Sequence, residues 1–335
     1  MVAIASCVYI RSFDVRQYSE DHPDGVLYAY AGTEATFVID GYIECHEDHS
    51  GVQFVAAFLV PKCWNVAVNG KVSYKCTLAE DHDQLYTMSI IPASSLPKNG
   101  NGRTWVECLT QEYGVGTNVL DEMEWVVYQT DDKYNIINNQ TPNYTIYLKT
   151  TVGDKNLKCH LGAFVNHTDD GFSGGTDHKK CVFSTDCFEV KGGSGMTLDF
   201  CQNHFNKVSP MSALQDDYIS FYFNGDAADN ALKTADNVYI QGVAYTAEGN
   251  KYLITEKSPR TLMKRASEYD ATYSITVWPM KLFNVPLNEH IERVEYIFSN
   301  ADGSITITQS DDDFVMQGIP MPEEKQPFTF VFECQ

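Results

Sequence analysis

The reading of the fold turns on Glu289-His290-Ile291-Glu292-Arg293-Val294-Glu295-Tyr296-Ile297-Phe298-Ser299-Asn300-Ala301-Asp302-Gly303-Ser304-Ile305-Thr306-Ile307-Thr308. Val294, Tyr296 and Phe298 share one face of an extended chain; Glu295, Ile297 and Ser299 share the other. That period of two belongs to a half-buried strand. Asn300-Ala301-Asp302-Gly303 then supplies a turn, because Asn and Asp bond their own backbone and Gly accepts positive φ. Ser304 to Thr308 alternates again, so the chain is expected to return antiparallel. The same style recurs in Asn237–Tyr245, Tyr273–Trp278 and Phe328–Phe332. Short β-rich runs separated by turns predict a β-sandwich in the C-terminal part.

A chain of 335 residues is more than one hydrophobic core usually holds, so a second core is expected upstream. Twenty Tyr and eighteen Phe, with few helix-favouring runs, lean the upstream part towards strand as well. Val52 to Pro61 is almost continuously apolar, as a strand covered on both faces would be. Trp64 to Val68 precedes an Asn69-Gly70 hairpin signal, after which Lys71 to Thr77 alternates. Tyr144, Ile146 and Leu148 alternate with Thr145, Tyr147 and Lys149. One helix is expected: Thr104 and Glu107 have capping-box spacing, and Gly114 is placed to end it. Lys191-Gly192-Gly193-Ser194-Gly195 reads as a linker. The expected organisation is therefore mostly β, with two β-sandwich domains of immunoglobulin-like or carbohydrate-binding-module-like kind. The first spans 1–193, with a helical excursion near 103–124, and the second spans 194–335.

With 24 basic and 45 acidic residues the formal charge is −21. A field of that sign repels phosphate backbones, so nucleic acid is not an expected partner. Ten cysteines contain no Cys-x-x-Cys, which leaves zinc ribbons and thioredoxin-like sites unsupported. Most read as small buried hydrophobes, although Cys201 and Cys334 lie on strands that could be neighbours.

Several tracts could carry chemistry. Gly171-Phe172-Ser173-Gly174-Gly175 fits Gly-x-Ser-x-Gly but lacks the apolar strand before it and the helix after it that a nucleophile elbow needs. His46 and His49 could converge on a metal, yet an exposed hairpin tip explains them as well. Asp169-Asp170, Asp216-Asp217 and Asp311-Asp312-Asp313 are hard-oxygen clusters without EF-hand spacing; calcium is the one cofactor they leave open, and solvated loop acids are the plainer reading. No catalytic residue and no metal ligand is assigned. Trp278 and Tyr245, with Tyr252, Tyr269 and Tyr273 nearby, sit at strand ends or in loops. Beside Asn300 and Asp302 such rings would suit a sugar, whose C–H faces stack on aromatics while its hydroxyls bond amide and carboxylate. The competing reading is that they fill the sandwich core.

Lys62–Val66, Leu120–Trp125, Phe164-Val165-Asn166 with Asp169-Asp170-Gly171, Asp186–Val190 and Ile297–Ser304 together resemble an uncharacterised family of two-domain, immunoglobulin-like surface lipoproteins of gut Bacteroidota. That resemblance implies membership of Sus-like nutrient-capture systems. It further implies a lipid anchor at Cys7, which follows Ile4 and the small residues Ala5-Ser6, and an outer-membrane, cell-surface address. A TonB-dependent transporter complex is the implied partner, and the anchor the implied link to the membrane. Phe298, Asn300, Asp302 and Gly303 also match a phrase bordering the ligand in starch-binding-type modules, which implies a contact by Asn300 or Asp302. The expected function is non-catalytic glycan binding at the cell surface. The alternatives are a docking subunit of a nutrient transporter, which would show a large apolar patch, and a glycoside hydrolase, which would show two carboxylates in a cleft.

Overall fold

The computed structural model describes residues 7–172 and 180–333. The chain forms two compact units that divide between Cys201 and Gln202.

The first unit runs β1 (Cys7–Asp14), β2 (Tyr28–Tyr30), β3 (Glu34–Glu44), β4 (His49–Val52), β5 (Phe54–Pro61), α1 (Val66–Asn69), β6 (Lys71–Cys76), β7 (Tyr86–Ile90) and α2 (Trp105–Tyr113). It continues with β8 (Met123–Thr130), β9 (Tyr134–Ile136), β10 (Asn143–Thr151), β11 (Lys155–Cys159), β12 (Gly162–His167), β13 (Cys181–Phe183), β14 (Phe188–Lys191) and β15 (Ser194–Asp199). Nine strands form one sheet in the order β1-β3-β10-β6-β7-β8-β5-β12-β13, and four form another in the order β15-β11-β14-β2. β5 is buried at every position between β8 and β12, which is why its sequence does not alternate. β3 alternates because one face meets the core and the other meets solvent. Phe37 of β3, Trp64 and Phe188 of β14 join the two sheets, with Phe37 and Phe188 edge to face at 5.2 Å.

The second unit contains β16 (Asn206–Ser209), β17 (Ile219–Asn224), β18 (Tyr239–Thr246), β19 (Lys251–Ile254), β20 (Lys264–Arg265), β21 (Thr272–Val277), α3 (Pro279–Phe283), β22 (Ile291–Ser299), β23 (Thr306–Ile307), α4 (Gln309–Gln317) and β24 (Phe328–Val331). A sheet ordered β16-β17-β21-β20 and a second ordered β19-β18-β22-β23, with β24 also on β22, enclose one core. Val294, Tyr296 and Phe298 lie in that core, as their spacing requires. The return strand is shorter than the alternation predicts. Asn300 Oδ1 accepts from Ile305 N at 3.1 Å and Asp302 Oδ1 from Ser304 N at 2.9 Å, so those two residues belong to the turn.

Four further expectations are corrected. The join at 193/194 falls inside the first unit: Lys191–Gly195 is not a linker, since Lys191 ends β14 and Ser194 opens β15, which pairs in parallel with β11. Val66–Asn69 forms a short helix in place of a strand, entered through Asn65 in the left-handed region. Cys201 pairs with Cys187, not Cys334; the latter lies outside the described residues. Asp311-Asp312-Asp313 belongs to α4, whose start carries a capping box between Thr308 and Asp311.

Candidate ligand-binding groove

The outward face of β3, β10 and β6 carries a cavity of about 510 Å³ lined by Thr36, Val38, Ser73, Lys75, Tyr147 and Lys149, with Arg16, Gln17, Tyr18 and Leu85 at its rim. The floor follows from the pairing register. Tyr147 stands opposite Val38 on one side and Ser73 on the other; Lys149 stands opposite Thr36, and Thr145 opposite Lys75. Since alternate residues share a face, these side chains emerge together on the solvent side of a sheet whose other side is core.

The rim is held by backbone-like bonds from one side chain. Gln17 Nε2 donates to Thr36 O at 3.0 Å, and Thr36 N donates to Gln17 Oε1 at 2.8 Å, so the amide continues the β1–β3 pairing where β1 has ended. Gln17 N donates to Val26 O at 2.8 Å, which brings Gly25 against the rim. Gly25 has φ +74°, and a Cβ there would meet Arg16 Cβ at 2.8 Å and the Tyr18 ring at 2.9 Å. Only glycine meets both the backbone and the space requirement. Tyr18 donates to Asp14 Oδ2 at 2.5 Å, and that bond to a carboxylate raises its phenol pKa.

The groove lining holds three cations and no carboxylate. Arg16 lies 3.8 Å from Asp186 and Lys149 lies 3.8 Å from Glu34, both among exposed side chains, so these pairs are weak. Lys75 has no ion-pair partner among the described residues. Tyr147 offers a half-buried ring, and Ser73, Thr36 and Gln17 offer hydrogen-bonding groups.

The residues expected from sequence to bind ligand lie elsewhere and are not assembled into one site. Tyr245 on β18 is flanked by its cross-strand neighbours: Arg293 sits 3.9 Å from the ring centroid and Lys251 4.9 Å, while the hydroxyl donates to Glu295 at 2.8 Å. That bond to Glu295 raises its pKa. Asn300 and Asp302 follow the far end of β22, roughly 20 Å along the strand from Arg293. Their side chains close the turn. Trp278 caps α3 and packs on the core with Nε1 buried and unbonded. Tyr273 is buried, Tyr252 donates to Glu289 at 2.6 Å, and Tyr269 is exposed.

The other motifs also resolve. His46 is exposed while His49 is buried, with Nδ1 2.7 Å from Asp169 Oδ2, so the two histidines do not converge. His167, in contact with His49 at 4.9 Å between ring centroids, is fully buried, which depresses its pKa to about 4. Hydrogen bonds from Lys98 and His49 hold Asp169 near 2. Burial opposes ionisation of Asp170, but Lys180 and Asn166 outweigh it and its pKa falls. Asp312 bonds His204 and accepts from Phe205 N at 2.6 Å, and Asp217 accepts from Leu214 N at 2.8 Å. Cys187, Asp199 and Cys201 form the one metal-like grouping among the described residues, and its two sulfurs are joined to each other. Ser173, Gly174 and Gly175, the loop acids beyond them, and Ile4–Ser6 lie outside the described residues. Cys7 opens β1 opposite Glu44.

The alternation that builds the groove was readable in β10 and β6. Which strands lie side by side was not, because Tyr147 and Val38 are far apart in sequence.

Fold and groove define a β-rich, two-unit protein with a basic concavity on one sheet face. Residues 19–204 match the model of a domain of unknown function, DUF4961, and the chain belongs to that family. Residues 206–307 match a second domain of unknown function, DUF8578. The two matches meet close to the division between the units. No curated protein matches the chain. Among solved structures, the chain is similar at 11% identity to the C-terminal domain of the Streptococcus pyogenes antigen I/II-family protein AspA, covering 90% of this chain and 96% of that one with a TM-score of 0.23. It is similar at 9% identity to AvmM, which catalyses macrocyclization in alchivemycin A biosynthesis, covering 56% and 90% with a TM-score of 0.26. Among the described residues no helix is long and apolar enough to cross a membrane.

Proposed function

We propose that this protein is a non-catalytic cell-surface binding protein that holds a glycan in the groove on β3, β10 and β6. The observation that carries the reading is the concavity itself, which sets the Tyr147 ring between Val38 and Ser73 with the polar side chains of Thr36, Lys75 and Lys149 in the same lining. Sugar rings stack on aromatics through their C–H faces, and their hydroxyls need such neighbours. The lining has no carboxylate, so it lacks the pair that glycoside hydrolysis uses. In this reading Cys7 carries a lipid anchor at the outer membrane, and the protein serves a TonB-dependent nutrient transporter. Calcium is not required by the groove.

Titration calorimetry against soluble polysaccharides tests it. Binding should occur, and Tyr147→Ala should weaken it by about 1–3 kcal/mol, as loss of a central aromatic contact does. Uniformly silent heats would remove the reading. A docking-subunit role is the second reading, favoured by the exposed Phe314, Val315, Ile319 and Met321 on and after α4. It expects co-purification with a transporter and no polysaccharide heat.

A further inference from the structure

A chain of formal charge −21 concentrates three cations in a concavity whose lining has no acid. A concavity lined by charges of one sign focuses the field on a ligand of the opposite sign. The cations' present partners are weak: Glu34 and Asp186 stand 3.8 Å from Lys149 and Arg16 among exposed side chains. Pairs of that kind are worth about 0–1 kcal/mol, so an incoming anion displaces them cheaply. Two acids beside the groove are already engaged: Asp14 accepts from Tyr18, and Asp40 pairs with Arg11 and accepts from Thr145. At physiological salt, exposed charges more than about 8 Å away are largely screened, whereas an anion seated in the groove meets its cations inside that distance.

The register adds a spacing. Along the paired outward faces of β10 and β6, Lys75 lies opposite Thr145, Tyr147 opposite Ser73, and Lys149 opposite Lys71. Each step is two residues, so Lys75 and Lys149 bracket the Tyr147 ring roughly 13 Å apart along the strands. Arg16, at the rim, can meet carboxylate or sulfate in forked geometry.

We propose that the groove selects an anionic polysaccharide, one sugar ring stacking on Tyr147 while carboxylate or sulfate groups on either side engage Lys75, Lys149 and Arg16. This rests on the glycan reading above.

The test is calorimetry on the full chain with polygalacturonate, dextran sulfate, neutral dextran, soluble starch and poly-L-glutamate, each at two salt concentrations. The expected result is binding to polygalacturonate or dextran sulfate that weakens at higher salt. A Lys75→Gln/Lys149→Gln double variant with an unchanged circular-dichroism spectrum should raise that Kd at least tenfold. Which polymer binds distinguishes carboxylate from sulfate. Binding to the neutral polymers that the double variant retains would overturn the anionic selectivity and leave the glycan reading standing. Equal binding to poly-L-glutamate would overturn the saccharide and leave only a polyanion site. Silence on all five would overturn both.

Discussion

The outward faces of β10 and β18 start from the same pattern and end differently. Each strand is central in its sheet, alternates, and carries an outward tyrosine. Around Tyr147 the cross-strand neighbours are Val38 and Ser73, which are short, so the ring borders an open concavity. Around Tyr245 they are Arg293 and Lys251, both long cations that lie against the ring, and Glu295 takes its hydroxyl. A tyrosine is therefore available to a ligand, or already occupied, according to residues that may be distant in sequence. Strand periodicity gives the face on which a ring lies and says nothing of its neighbours.

The comparison first requires that the groove floor be stiff. Phe37, on the core side of β3 between the groove residues Thr36 and Val38, rests on Phe188 of the second sheet. Phe188→Ala should cost about 3–5 kcal/mol, the largest effect expected here, because it opens a cavity among fully buried rings. Urea denaturation measures it. A loss under about 1 kcal/mol would mean that the second sheet does not support the floor.

A second effect tests the buried polar cluster of the same unit. Folded His167 titrates near 4 against an ordinary 6.5, since burial disfavours its cation. Between those values the unfolded chain binds a proton that the folded chain refuses, so stability falls as the pH drops from 6.5 towards 4. The loss should be on the order of 2 kcal/mol. Asp169, held near 2, adds its own loss only below its ordinary 3.8. Urea midpoints at pH 7, 5.5 and 4.5 should fall in that order, and His167→Gln should flatten the trend. An equally steep trend in the variant would assign the proton elsewhere.

Much of this was legible before any coordinates. Val294, Tyr296 and Phe298 announced a buried strand face, β5 announced a central strand, and Thr104 with Glu107 announced α2. α4 carried the same signal in Thr308 and Asp311, but three consecutive acids read as a solvated loop rather than as a helix start. The glycines at 192, 193 and 195 read as a linker because composition does not reveal parallel pairing with a distant strand. The groove stayed hidden for the same physical reason: each strand's outward face was readable, but the order β3-β10-β6 depends on contacts between segments separated by most of the unit.

The rim offers a sharper test with a smaller effect. Gly25→Ala forces a positive-φ backbone onto a residue with a Cβ and drives that atom into Arg16 and Tyr18. The expected destabilisation is about 1–3 kcal/mol. Binding of whichever polysaccharide the wild type takes should weaken too, because the displaced segment is the wall of the groove. Intact binding in a destabilised Gly25→Ala would show that the ligand uses the floor alone.

The smallest effect discriminates best between the two tyrosines. Tyr245→Ala removes a half-buried ring held by two cations, a contact worth about 0.5–1 kcal/mol of stability. It should leave polysaccharide affinity unchanged, because Arg293 and Lys251 already lie over the ring and Asn300 and Asp302 lie at the other end of β22, engaged in their own turn. Tyr147→Ala, measured alongside, should do the reverse, costing little stability and most of the affinity. If the two variants exchange their effects, the cations around Tyr245 are part of a binding surface rather than a cover over it, and the glycan site belongs on the second unit.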